Sequence, residues 1–134
     1  MIRQTRRKRP GAVTVEFALA APAFFLLIFA GFEFSRVNMI RNTIANAAYD
    51  GARQAIVPGA TANDCRTRAQ AYLDLLTISG ATVNVTPDPI SNSTTDVTVT
   101  VQVPVTVQNA FITPRFFLGR TLNASVTLPR EMAE

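Results

Sequence analysis

Twenty-three consecutive residues, from Pro10 to Phe32, hold a single charge, the carboxylate of Glu16. At ~1.5 Å per residue a helix of that length reaches roughly 34 Å, enough to cross a hydrocarbon core of about 30 Å. The stretch therefore predicts a transmembrane helix, and lipid bilayer as one partner of the chain. Pro22 within it fits a membrane helix, with a local kink, because neighbouring groups can satisfy the freed carbonyl. In a helix buried in a water-soluble core the same proline is far harder to accommodate. Two small-residue sites, Ala18-Leu19-Ala20 and Ala21-Pro22-Ala23, resemble signal-peptidase sites. Both precede the most apolar run, Phe24 to Phe29, whereas a cleavage site should follow it, so the segment reads as a retained anchor.

Charge distribution orients this anchor. Five of the 13 basic residues (Arg3, Arg6, Arg7, Lys8 and Arg9) lie in the first nine positions, and beyond them eight basic residues face nine acidic ones. The net charge of +4 thus belongs to a terminal tag and not to a folded face, which argues against nucleic acid as a partner. With Glu33 and Arg36 on the far flank, the positive-inside rule puts the N-terminus in the cytoplasm. The C-terminal bulk then lies outside a bacterial inner membrane.

Catalysis finds little to work with. The chain has no His and one Cys, so the commonest general base is missing and neither a zinc site nor an internal disulfide can form. There is no phosphate-binding glycine loop and no paired-carboxylate site; Asp88 and Asp96 fall in turn-rich sequence and read as solvated. The expectation is no enzyme, no cofactor, no metal and no small-molecule substrate. Cys65 reads as a partly buried bystander, with an intermolecular cross-link as the alternative.

Glu16 is the informative residue. A carboxylate in an apolar span costs about 2.5–3.5 kcal/mol near the helix centre, less toward an end, and such residues usually have a partner. No basic residue lies one helical turn away. A cut after Gly11 would give Ala12 a new α-ammonium four residues before Glu16, on this chain or a neighbour, and that charge would answer the carboxylate. Arg-rich leader, Gly11, then Ala12-Val13-Thr14-Val15-Glu16-Phe17 resembles the processing site of type IV prepilins. Residues Ala12 to Ile56, with Phe32-Glu33-Phe34-Ser35-Arg36 and Asn46-Ala47-Ala48-Tyr49-Asp50-Gly51-Ala52-Arg53, are similar to the TadE-like family of tight-adherence (Flp) pilus systems.

The resemblance implies Gly11 and Ala12 as the processing site and Glu16 and Phe17 as assembly and recognition residues. It implies a prepilin peptidase, other pilin-like subunits and the pilus assembly machinery as partners, with roles in adhesion and biofilm formation. The alternative is an unprocessed single-pass envelope protein whose periplasmic head binds another component.

Beyond the apolar stretch the period stays helical. Val37, Ile40, Ile44, Ala47, Ala48, Gly51 and Ala55 recur at three- and four-residue spacing, ending at Pro58-Gly59, with Asp50, Arg53, Arg41 and Asn46 toward solvent. One long helix from Ala12 to Val57 is expected. Its small-residue stripe would face its own head in the preferred reading and a neighbouring subunit in the second. Thr61 or Asn63 caps a second helix through Leu76, with Ala69, Tyr72, Leu73 and Leu76 inward. After Ser79-Gly80 the period becomes two. A first strand holds Val83 and Val85. A second, Asp96 to Gln108, places Val97, Val99, Val101, Val103, Val105 and Val107 on one face, with Pro104 suggesting an edge or bulge. A third runs from Arg120 to Leu128, with Leu122, Ala124, Val126 and Leu128 inward. Phe111 to Leu118 reads as a covering loop or short helix, and Pro129 to Glu134 as a mobile tail.

The expected fold is α+β and pilin-like: a long N-terminal transmembrane helix continuing into a small head with one further helix and a three-stranded antiparallel sheet. Its organisation is a basic leader over 1–11, a helical region over 12–57 and an extracytoplasmic head over 58–134.

Overall fold

The computed structural model describes residues 10–91, 93–106 and 119–130. Five elements follow one another: α1 Pro10–Gln54, α2 Ala62–Leu75, β1 Thr82–Thr86, β2 Asp96–Pro104 and β3 Thr121–Pro129. The layout is α+β, and the chain divides into two compact units between Phe32 and Glu33. The expected basic cluster of residues 3–9, the apolar stretch Phe111–Leu118, Val107, Gln108 and residues 131–134 lie outside the described residues.

The first unit is the apolar part of α1. Most of its large side chains, among them Val13, Phe17, Leu19, Leu26 and Leu27, are exposed, and Ile28 is half-buried. Ring contacts join Phe24 to Phe25 edge-on and Phe25 to Phe29 in a stack. A helix that is apolar all round and little covered by the described residues suits lipid or another apolar helix, not water.

The second unit is built on the other part of α1. There Ile40, Ile44, Ala47, Ala48, Ala52 and Ala55 are buried together with Ala62, Cys65 and Leu73 of α2 and the inward valines of β2. The stripe is thus consumed by its own head, as the preferred reading had it. Its small residues have a visible purpose at Gly51. A Cβ built there would lie 3.0 Å from Ala69 Cβ, 3.0 Å from the Cys65 carbonyl oxygen and 3.3 Å from Val99 Cγ1. Only glycine lets α1, α2 and the sheet approach so closely.

The α-helical part of α1 stops three residues before Val57. The N–H groups of Ala55, Ile56 and Val57 instead donate to carbonyls three residues back, at 3.1–3.2 Å. Pro58 explains the tightening, because it disfavours the α conformation in the residue before it. Of the two candidate caps for α2, Thr61 is the one used. Its hydroxyl accepts from the Asp64 N–H at 3.2 Å, and the Asp64 carboxylate accepts from the Thr61 N–H at 2.8 Å. This is a capping box with aspartate in the position glutamate usually takes. The helix ends at Leu75, and Leu76, expected in the core, is 40% exposed as the C-terminal cap. There the backbone leaves the helical phase that would have turned the side chain inward.

The sheet is antiparallel with order β1-β2-β3. Val97, Val99, Val101 and Val103 of β2 are fully buried and Val105 follows just beyond the strand. On the opposite face hydroxyls pair across the register, Thr98 with Thr127 at 2.8 Å and Thr100 with Ser125 at 2.9 Å. Pro104 corrects the expectation of an edge strand. β2 is central, and the proline closes it at a point where β1, whose pairing runs out at Thr82↔Gln102, no longer needs a donor. The strand therefore ends short of Gln108, although the Val105 N–H still donates to the Arg120 carbonyl at 2.8 Å.

Candidate assembly segment

The residues singled out from the sequence all lie in the first turns of α1. Pro10 opens the helix, a position where its missing N–H removes no helical bond. Gly11 and Ala12 follow within the first turn, whose N–H groups have no intrahelical acceptor. The peptide bond between them can therefore be drawn out of the helix at the cost of few hydrogen bonds. A Cβ at Gly11 would meet nothing within 4 Å, so no packing contact among the described residues calls for glycine there.

Glu16 is exposed, and so is Phe17, at 70%. Ala12 and Glu16, four residues apart, share one face of the helix, so a charge placed on the Ala12 nitrogen lies one turn from the carboxylate. Nothing in the first turn is acidic. The side chains on either side of Glu16, Val15 and Phe17, are apolar and exposed. The arrangement gives a lone acid on an apolar surface: a point at which an apolar neighbour can pack and a cationic one can be selected.

A second carboxylate escaped the sequence reading, which took Glu33 as a flanking charge. Glu33 is only 5% exposed. Both of its oxygens are buried, and neither has a hydrogen-bond partner among the described residues. The signal was present in the spacing, since Glu33 stands four residues before Val37 and seven before Ile40, in phase with the core stripe. A buried polar atom without a partner costs about 1–3 kcal/mol and more when it carries a charge, so this glutamate works against the stability of the head.

The head carries its ion pairs elsewhere. Arg68 Nε donates to Asp50 at 2.9 Å, joining α2 to α1, and Arg66 pairs with Asp88, joining α2 to the turn after β1. The Thr61 hydrogen bonds, backbone first and hydroxyl second, hold the Asp64 carboxyl below its usual range. Burial, and after it the neighbouring Asp64, push the Cys65 thiol up. Cys65 is wholly buried, deeper than the bystander expected, and an enclosed thiol so held is a poor nucleophile. Among the described residues no three His, Cys, Asp or Glu side chains converge on a possible metal position.

A cleft of about 580 Å³ opens in the head beside the Glu33 end of α1, with Arg41 and Asn38 on one wall and Arg120 and Thr121 on the other.

No curated protein and no solved structure matches the chain. A family model does: the one described as TadE-like protein matches residues 11–53, about a third of the chain, beginning at Gly11 and ending two residues before Ala55.

Proposed function

We propose that this chain, TadE-like over residues 11–53, is a non-enzymatic, pilin-like subunit of a tight-adherence pilus assembly system. The family suggests involvement in such systems, and the long apolar helix suggests single-pass membrane anchoring. In this reading residues 1–11 are a leader removed by a prepilin peptidase between Gly11 and Ala12. Residues 12–57 anchor and assemble the subunit, and residues 58–134 complete a head outside the bacterial inner membrane. The N-terminus of the precursor faces the cytoplasm, and the mature subunit supports adhesion.

The observation that carries this reading is the isolation of Glu16. It is exposed on an exposed apolar helix, one turn after the residue that a cut would convert into an ammonium. In lipid that carboxylate is costly alone and favourable beside a cation. A neighbouring subunit's freed Ala12 amine meets the need without any additional basic residue in the span, and Phe17 adds an apolar contact at the same height.

Mass spectrometry of the protein extracted from membranes, with and without the peptidase, tests the cut. The expected mature N-terminus is Ala12; Met1, or a residue beyond Ala20, would leave an uncut anchor and the alternative of a plain binding head. A Glu16→Ala chain is expected to be cut normally and to fail in assembly. Unchanged assembly would remove Glu16 from the mechanism.

A further inference from the structure

We infer that the cleft between Arg41 and Arg120 binds the phosphate of an anionic phospholipid headgroup. The cleft is about 580 Å³, large enough for a glycerophosphate group, and no acidic residue is among the described residues that line it. Arg41 and Arg120 are both exposed, and among the described residues neither makes an ion pair, whereas Arg66 and Arg68 each hold an aspartate. Two guanidinium groups without an ion-pair partner among the described residues, one from each wall, are suited to a phosphate diester, which each can grip through two parallel N–H donors. Asn38 and Thr121 add neutral polar groups to the lining, while Val37 and Leu122 supply apolar wall for the glycerol and the first acyl carbons.

Charge balance favours an anion here in spite of Glu33. Its carboxylate is enclosed and is not among the described residues that line the cleft, where Arg41 and Arg120 are the charged ones. The lipid source follows from chain position. The cleft's first lining residues, Phe34 and Ser35, follow the apolar stretch with only Glu33 between, so an anchored helix delivers them to the level of headgroups. This part rests on the anchoring reading above; the pairing of an anion with the two arginines does not.

The test uses the full chain in nanodiscs made of equal parts phosphatidylcholine and phosphatidylglycerol, with native mass spectrometry of the released protein. The expected result is a single retained phosphatidylglycerol in preference to phosphatidylcholine. Arg41→Gln and Arg120→Gln should each weaken that preference about tenfold, the loss of one charge-assisted contact. Arg41→Lys and Arg120→Lys should keep part of it, and Arg53→Gln, an exposed arginine outside the cleft, should leave it intact. Equal retention of the two lipids, or a preference untouched by both glutamine changes, overturns the inference. Displacement of the lipid by millimolar inorganic phosphate assigns the cleft to free phosphate and overturns the lipid source. A chain that does not enter the bilayer at all overturns the anchoring and the lipid source together, an outcome distinct from an inserted chain without lipid preference.

Discussion

α1 supplies both units of the molecule, and its two parts use apolar side chains in opposite ways. Between Gly11 and Phe32 the apolar residues are spread around the whole circumference, and most of them are left uncovered by the described residues. From Glu33 onward one stripe of them, Val37 to Ala52, is enclosed by α2 and the sheet, while Phe34, Met39 and Tyr49 stay exposed. The carboxylates reverse the pattern: Glu16 is exposed on the uncovered part, and Glu33 is buried on the enclosed part. A helix with no stripe depends on an outside medium, and one with a stripe carries its partner in the same chain. A substitution should therefore register in head stability only when it falls on the striped part, and in assembly chiefly when it falls on the other.

The largest contrast should come from truncating one apolar side chain on each part. Ile44 is fully buried, and Ile44→Ala should cost the head about 2–5 kcal/mol by removing packed methyl groups and leaving a cavity. Leu27→Ala, at an exposed site, should leave the head's unfolding where it was. Chemical denaturation of both full-length variants in the same detergent, followed by a head-specific probe, measures the difference. Equal losses would mean that the two units fold as one.

The two glutamates give the next effect, with the sign reversed. Glu33→Met keeps side-chain volume while removing two buried oxygens without partners, and should raise head stability by about 1–3 kcal/mol. Glu16→Gln should leave that stability unchanged and impair assembly. A destabilised Glu33→Met head would show that the carboxylate is satisfied in the assembled protein by a group outside the described residues. The glycines come third. Gly51→Ala should cost about 1–2 kcal/mol, because overpacking against the Cys65 carbonyl outweighs the gain in helix propensity. Gly31→Ala, with nothing within 4 Å of its added Cβ, should not shift the head's midpoint.

Much of this contrast is legible in the letters. The uncovered part announces itself by an unbroken apolar run, the striped part by its period, and β2 by alternating valine with threonine. Local signals sufficed there because each element's own residues decide its pattern. Where a feature depends on residues distant in the chain, reading stopped short. Pro104 suggested an edge because its missing donor is a local fact, but β2's central place is fixed by pairing with β3 some twenty residues on. Leu76 has the right phase for the core and loses it only because the backbone leaves the helix at that residue. Glu33 is the instructive case: its phase was visible, and its charge argued against using it. Gly11, Ala12, Glu16 and Phe17 were legible as a motif, yet the role proposed for them rests on a cut and a neighbour that lie outside one chain's geometry.

The smallest effect should be one of pH, and it sharpens the comparison because it arises within the head. Asp64 is held below its ordinary carboxyl range by the hydrogen bonds that the Thr61 N–H and, second, the Thr61 hydroxyl donate to its carboxylate, and those bonds exist only when α2 is folded. A carboxyl whose folded value lies below its unfolded one binds fewer protons in the native state. Its contribution is complete above the unfolded carboxyl range and is lost as the pH falls through the lowered folded value. Head stability should therefore decline across the acidic range, and Asp64→Asn should flatten part of that decline, leaving variant and parent closest at the lowest pH. Thr61→Ala should remove the hydroxyl's share of that increment while the backbone bond persists, so the double variant should lose less than the sum of the two single losses. Denaturation midpoints taken at neutral and acidic pH for the four proteins decide it, and additive losses in the double variant would show that the two residues act separately.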